Sequence, residues 1–261
     1  MIKQDKIHFV GIGGAGMSAL ALLLLQAGKR VSGSDLQMNS YAQRVKKAGG
    51  KIFLKHCASN LKDAQMLIFS SAISSDNTEI ESAKQRNIPI KHRGELLADL
   101  AKGRTSVAIS GMHGKTSVAN MLAVALINAQ VDPTVVLGGE SFDLKGNACL
   151  GKSSYFVAEA DESDGSFLRL SPTYAVITNI EAEHIDFYKS EERILSIFKE
   201  FCQKVNKAIF YNGEDKNIRK ILCGLKIAQK ISFGFSPECD IFAKNIIRKD
   251  LTISFDCFFK Q

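Results

Sequence analysis

Val107-Ala108-Ile109-Ser110-Gly111-Met112-His113-Gly114-Lys115-Thr116-Ser117-Val118-Ala119-Asn120 decides the fold. A β-branched and apolar run, Val107 to Ile109, meets a turn containing Gly111 and Gly114, and an apolar helical pattern from Val118 to Ile127 follows at once. Strand, glycine turn and helix in that order form a cradle for a nucleoside triphosphate. The glycines let backbone N–H groups crowd round an anion, the helix N-terminus adds partial positive charge, and Lys115 adds a full one. Thr116 stands where a hydroxyl holds the Mg²⁺ that travels with a triphosphate. The loop is the short form, G-x-x-G-K-T, because Ile109 occupies the place of the more distant glycine of the common pattern. A helix N-cap with an exposed lysine is the plainer alternative for these residues.

Outward from that loop, 261 residues with 45% hydrophobic content fill one large core or two modest ones, and two domains are predicted. The small polar stretch Lys102-Gly103-Arg104 is the predicted joint, giving domains 1–101 and 102–261. The net charge of +7 comes from scattered Lys and Arg, which points to small anionic ligands and away from nucleic acid. Six cysteines (57, 149, 202, 223, 239 and 257) form no C-x-x-C pair, so buried, reduced thiols in a cytoplasmic protein are expected. The polar start, Met1 to Asp5, leaves no room for a signal peptide, and the longest apolar stretch, Ala19 to Leu25, is far short of a membrane span.

Before the joint, Ile7 to Val10 is a strand and Gly11-Ile12-Gly13-Gly14-Ala15-Gly16 matches G-x-G-x-x-G. Met17 to Ala27 is a helix stopped by Gly28, and Arg30 to Gly33 is a second strand ending at Ser34-Asp35. Asp35 falls where an acidic side chain often meets a ribose. The unit is Rossmann-like, a doubly wound α/β fold with a diphosphate on the first helix. The fingerprint alone does not say whether that diphosphate belongs to NAD, as in an oxidoreductase, or to another nucleotide. Helices at 41–48 and 77–86, strands at 51–54, 66–69 and 88–90, and Ser70 at a strand end continue the alternation.

Beyond the triphosphate loop, Gly138-Gly139 is predicted as a turn and Tyr155 to Ala158 as a strand. Glu159-Ala160-Asp161-Glu162-Ser163-Asp164-Gly165-Ser166-Phe167 then sets four carboxylates at a strand's end, and Asn179-Ile180-Glu181-Ala182-Glu183-His184-Ile185-Asp186 sets acids and a histidine at the next. Ligands of open parallel sheets collect beyond the carboxyl ends of strands. Two acidic strand ends beside a triphosphate loop describe a Mg²⁺ site. A helix at 191–203 and a strand at 208–211 follow, and from Ile231 onward the alternation predicts antiparallel strands, at Cys239 to Ala243 and Leu251 to Phe255.

These four motifs, Gly11 to Ser18 with its Gly-Gly-Ala-Gly-Met-Ser core, Gly111 to Thr116, Glu159 to Phe167 and Asn179 to Asp186, resemble those of the Mur ligases in kind and order. The resemblance implies that Gly11, Gly13, Gly14, Ala15, Gly16, Met17, Ser18, Asp35 and Ser70 hold UDP-N-acetylmuramate, and that Gly111, Met112, His113, Gly114, Lys115, Thr116 and Ser117 hold ATP. It implies Lys115, Glu159 and His184 as catalytic residues, with Mg²⁺ on Thr116 and Glu159 and a second ion on His184. The reaction implied is phosphorylation of the lactyl carboxylate by ATP and attack of L-alanine on the acyl phosphate, in peptidoglycan precursor synthesis. A family member that joins a tripeptide to the same sugar nucleotide is the alternative, and a sugar-nucleotide-binding module without catalysis is another. Met112 stands where the family has threonine, and Lys199 reads as a surface lysine rather than a carbamylated one. The resemblance also implies a central ATP-binding domain that runs past Gln261 and a further C-terminal domain. The chain is therefore expected to be a truncated or split ligase with incomplete catalytic closure, either an inactive fragment or one completed by missing segments or a separate polypeptide.

Overall fold

The computed structural model describes residues 2–181, 188, 190–227 and 229–260, so His184 lies outside the described residues. The chain divides into two compact units, Met1–Thr105 with Thr116–Glu159, and Ser106–Lys115 with Ala160–Gln261.

The first unit opens with β1 (Lys6–Val10), α1 (Ala15–Gln26), β2 (Arg30–Asp35), α2 (Ser40–Lys47), β3 (Lys51–Leu54), β4 (Met66–Phe69), α3 (Thr78–Gln85), β5 (Ile90–His92) and α4 (Arg93–Ala101). Its five strands form one parallel sheet in the order β3-β2-β1-β4-β5. The order reverses between β1 and β4, so the turns at their carboxyl ends, Gly11 to Gly14 and Ser70, flank the switch point where such sheets bind ligands. Helix ends are fixed by side chains: Asn39 caps α2, Asn77 caps α3, and His92 and Glu95 form a capping box on α4.

Next in the chain come β6 (Thr105–Ser110), α5 (Lys115–Asn128), β7 (Thr134–Ser141), β8 (Gly146–Cys149) and β9 (Tyr155–Glu159). Within the first unit β7 pairs parallel with β9 and antiparallel with β8. Every residue of α1 from Met17 to Leu24 is buried, which its unbroken apolar run requires of any stable helix. The partners are Ile7, Phe9 and Ile68 of the parallel sheet and Val136, Ala148, Phe156 and Ala158 of β7 to β9, all in one core. That shared core is why 116–159 groups with the N-terminal hundred residues.

The second unit continues with β10 (Tyr174–Ile177), α6 (Glu191–Gln203), β11 (Ala208–Asn212), α7 (Lys216–Leu222), β12 (Gln229–Gly234), β13 (Ile241–Lys249) and β14 (Thr252–Phe259). Its strands run β6-β10-β11-β12-β13-β14, parallel as far as β13, with β14 returning antiparallel.

Three expectations need correction. Gly138 and Gly139 lie inside β7 rather than in a turn, and their bare backbone makes room for Glu159 and Thr116. The strands expected at 239–243 and 251–255 overlap β13 and β14 and pair antiparallel as expected, and the correction concerns only the strand from Ile231, because β12 pairs parallel with β11 and β13. Cys202 and Cys239 are buried, but Cys57, Cys223 and Cys257 are exposed, and all six are free thiols.

At Gly33 on β2 a methyl group would sit 2.7 Å from the Phe9 carbonyl oxygen and 2.5 Å from Ile12 Cδ1. The first is backbone and cannot turn aside. Gly33→Ala is expected to cost about 3 kcal/mol, at the high end for overpacking, and a thermal melt should show the loss.

Candidate functional site

In the first unit the turn after β1 is held from below by the end of β2. Gly11 and Ile12 donate their N–H groups to the Ser34 carbonyl at 2.9 and 3.1 Å, and Gly13 donates to Asp35 Oδ2 at 2.7 Å. The other oxygen, Asp35 Oδ1, accepts from the N–H groups of Leu36 and Gln37. Asp35 therefore braces the turn with one oxygen and its own strand end with the other. Asn39 adds a bond from Nδ2 to the Gly13 carbonyl at 2.9 Å. Gly14 bonds back to Gly11, and the first helical bond of α1 runs from Ser18 to Gly14. The N–H groups of Ala15, Gly16 and Met17, in the first turn of α1, are thus the ones a helix offers to an anion.

Met17 and Ser18 are buried, and Ser18 Oγ donates to the Ala15 carbonyl. Gly16 lies close to the Arg93 guanidinium, and Ser70 lies beside Gly11.

Still in the first unit, a Cβ at Gly138 would overlap Glu159 Oε2, and one at Gly139 would lie 3.3 Å from the Thr116 methyl. Two successive glycines of β7 thus adjoin the carboxylate and the hydroxyl that the sequence assigns to a metal. Glu159 Oε1 is buried and accepts no hydrogen bond among the described residues. An unmatched buried carboxylate oxygen and a threonine hydroxyl are each donors that a hard cation accepts, so the chemistry of these residues fits Mg²⁺.

In the second unit the loop after β6 closes on the end of β10. The Met112 N–H donates to the Asn179 carbonyl, the His113 N–H donates to Asn179 Oδ1 at 2.9 Å, and Thr178 Oγ1 and Asn179 Nδ2 donate to the His113 carbonyl. Gly114 and Ser117 are exposed at the mouth of the loop.

The Lys115 ammonium spends its three hydrogens inside the protein: on the carbonyls of Gly111 (2.6 Å) and Met112 (3.1 Å) and on Glu162 Oε1 (2.8 Å). Glu162 is almost fully buried. Burial pushes its carboxyl pKa up, and the hydrogen bond and charge of Lys115 pull the other way. Glu162 and Asn179 are the functional residues that motif reading passed over. Both stand inside stretches singled out for acids and histidine, and only the folded contacts separate them from their neighbours.

A Rossmann-like sheet with a glycine turn at its switch point, followed in the chain by a strand, a G-x-x-G-K-T loop and a helix, defines a class of α/β proteins with two glycine-rich turns, each opening onto a helix. The profile described as "Mur ligase family, catalytic domain" matches residues 6–105, and that of the "Mur ligase middle domain" matches 109–261. The chain belongs to the Mur ligase family. It is 45% identical to the UDP-N-acetylmuramate–L-alanine ligase of Dictyoglomus turgidum over 100% of this chain and 56% of that protein. With the same enzyme of Aquifex aeolicus it shares 44% identity over 99% of this chain and 57% of that protein. The crystal structure of the UDP-N-acetylmuramate-alanine ligase of Thermotoga maritima superposes with a TM-score of 0.83 at 32% identity, covering 92% of this chain and 55% of that one. The chain thus spans just over half the length of these relatives.

Proposed function

We propose that the protein to which this chain corresponds is an ATP-dependent ligase that joins L-alanine to the lactyl carboxylate of UDP-N-acetylmuramate through an acyl phosphate. The observation that carries the reading is the Lys115 ammonium held in a G-x-x-G-K-T loop that joins a strand to a helix. Identity of 44 to 45% with alanine-adding ligases supports the choice of substrates.

The roles follow from charge. Lys115 and the loop N–H groups of Gly111 to Ser117 take the ATP phosphates and neutralise charge that builds on the transferring phosphoryl. Thr116 and Glu159 hold Mg²⁺, which supplies Lewis-acid stabilisation of phosphate oxygens, and His184 is assigned to a second ion. The first turn of α1, with Gly11 to Ser18, Asp35 and Ser70 around it, holds the UDP diphosphate. The division at 101/102 is retained as the boundary between the sugar-nucleotide and ATP domains. Small anionic substrates and free thiols support a cytoplasmic setting, and among the described residues no helix is long and apolar enough to cross a membrane.

The test is titration calorimetry of UDP-N-acetylmuramate and of Mg·ATP on the chain, with phosphate release and product mass read on the same sample. Micromolar binding of both ligands is expected, and ligation with the remaining length of the relatives present. Failure to bind the sugar nucleotide would sink the reading, and binding without phosphate release in the completed protein would leave a binding module.

A further inference from the structure

Behind the sugar-nucleotide turn lies a buried carboxylate that the proposed chemistry does not use. Glu79, at the start of α3, has no exposed surface. It accepts a very short hydrogen bond from Ser34 Oγ, one from Asn60 Nδ2 at 2.7 Å and one from the Cys57 N–H at 3.2 Å. His56 Nδ1 lies 3.4 Å from Glu79 Oε2 and 2.8 Å from Ser34 Oγ, and His8 Nε2 lies 3.5 Å from Glu79 Oε1. Burial alone would push this carboxyl pKa up, yet the surrounding donors, His8, Ser34 and Asn60 foremost, bring it down to about 2. Glu79 is therefore ionised throughout the working pH range and can only accept. The Ser34 hydroxyl hydrogen must then point at Glu79, and His56 Nδ1 must carry the proton that Ser34 Oγ accepts.

Ser34 is also the residue whose carbonyl takes the N–H groups of Gly11 and Ile12, and its neighbour Asp35 takes that of Gly13. We infer that Glu79 is a positioning residue for the sugar-nucleotide turn. Through Ser34 Oγ it fixes the end of β2, which holds the turn's N–H groups and leaves the first turn of α1 facing the diphosphate.

Only a carboxylate serves here. It offers lone pairs to several converging donors at once, whereas a glutamine would turn an NH₂ against one of them. A buried charge is an expensive way to join two elements, and it is retained where geometry has to be specified.

The inference rests on the reading of the turn as a UDP-sugar site, and the experiment separates the two. Affinities for UDP-N-acetylmuramate and for Mg·ATP are measured by calorimetry on the full chain and on Ser34→Ala, Glu79→Gln and the double variant. Each single variant is expected to weaken sugar-nucleotide binding about tenfold or more, the scale of a lost hydrogen bond to a charged group, with ATP affinity unchanged. Because Glu79 acts through Ser34, the double variant should be no weaker than the weaker single one. Wild-type affinity in either folded single variant, or losses that simply add, would overturn the positioning role while leaving the site intact. Should Glu79→Gln not fold, Ser34→Ala decides alone, since it removes the link and keeps the carboxylate's other donors. No sugar-nucleotide binding by the unaltered chain would overturn the site and this role together.

Discussion

Lys115→Ala is expected to lower ATP-dependent phosphate release by about a thousandfold, the upper range for removing one preorganised donor at a developing charge. The same change should also destabilise the ligand-free protein, an effect an exposed phosphate-binding lysine would not have. The reason is Glu162, which is 1% exposed and meets the Lys115 ammonium at 2.8 Å. Lys115→Ala takes away the cation that faces this buried carboxylate, and the cost should reach about 3 kcal/mol, the low end of the buried range because Lys115 is partly solvated.

The sign with pH follows from the direction of the shift. Burial raises the Glu162 carboxyl above its ordinary value, so its protonated form is the one the fold favours. A raised carboxyl contributes its stability below the unfolded pKa and loses it as pH rises through the folded one. In Lys115→Ala the lysine charge no longer offsets that loss. The deficit in melting temperature against the parent should be smallest in acid, below the usual carboxylate range, and grow progressively toward pH 8, because the lost bonds to the Gly111 and Met112 carbonyls count at every pH. Adding Glu162→Gln should remove the pH-dependent part of that deficit and restore no phosphate release. A single variant as stable as the parent at pH 8 would show that Glu162 is not the partner that matters.

What could be read from the sequence divides along a physical line. The strand, loop and helix around Lys115 and the turn after β1 were legible because every residue that defines them is local: glycines, one lysine, and the apolar periods on either side. The alternation of α and β implied a doubly wound sheet, and the order of its strands came only with the fold. Glu79 was read only as a residue of a helix, like Glu81 two residues on, yet one is fully buried and the other faces outward. Gly138 and Gly139 were misread for a related reason. Their purpose is set by Glu159 and Thr116, some twenty residues away in either direction, and a glycine pair in isolation reads as a turn. Asp35 was read from its spacing as a ribose contact, and its bond from the Gly13 N–H is one that spacing cannot reveal. The pairing of β12 with β11 and β13 escaped because alternation along a strand reports which face is buried and not the direction of its neighbours.

Gly111→Ala should abolish ATP binding while sparing the sugar nucleotide, and it tests the loop without touching a charge. Gly111 has φ +130°, a backbone conformation that side chains rarely adopt. A Cβ there would also overlap Thr178 Oγ1 and approach the Asn179 backbone nitrogen and oxygen to 3.0 Å. Neither neighbour can yield cheaply. The Thr178 N–H is bonded to the Ser110 carbonyl, and the Asn179 carbonyl is the acceptor for the Met112 N–H. Backbone strain and overpacking each cost about 1–3 kcal/mol, and the cheapest relief is for 111–114 to leave the end of β10. That movement would carry away the Gly111 and Met112 carbonyls that hold Lys115 and spoil the alignment of the loop N–H groups together. Calorimetry should therefore show Mg·ATP affinity reduced by about a hundredfold or more, in proportion to a loss of roughly 3 kcal/mol. UDP-N-acetylmuramate affinity should stay within about twofold, because sites that share no partners respond independently. A folded Gly111→Ala protein that bound ATP as the parent does would mean that the loop's anion grip does not depend on its anchorage to Asn179.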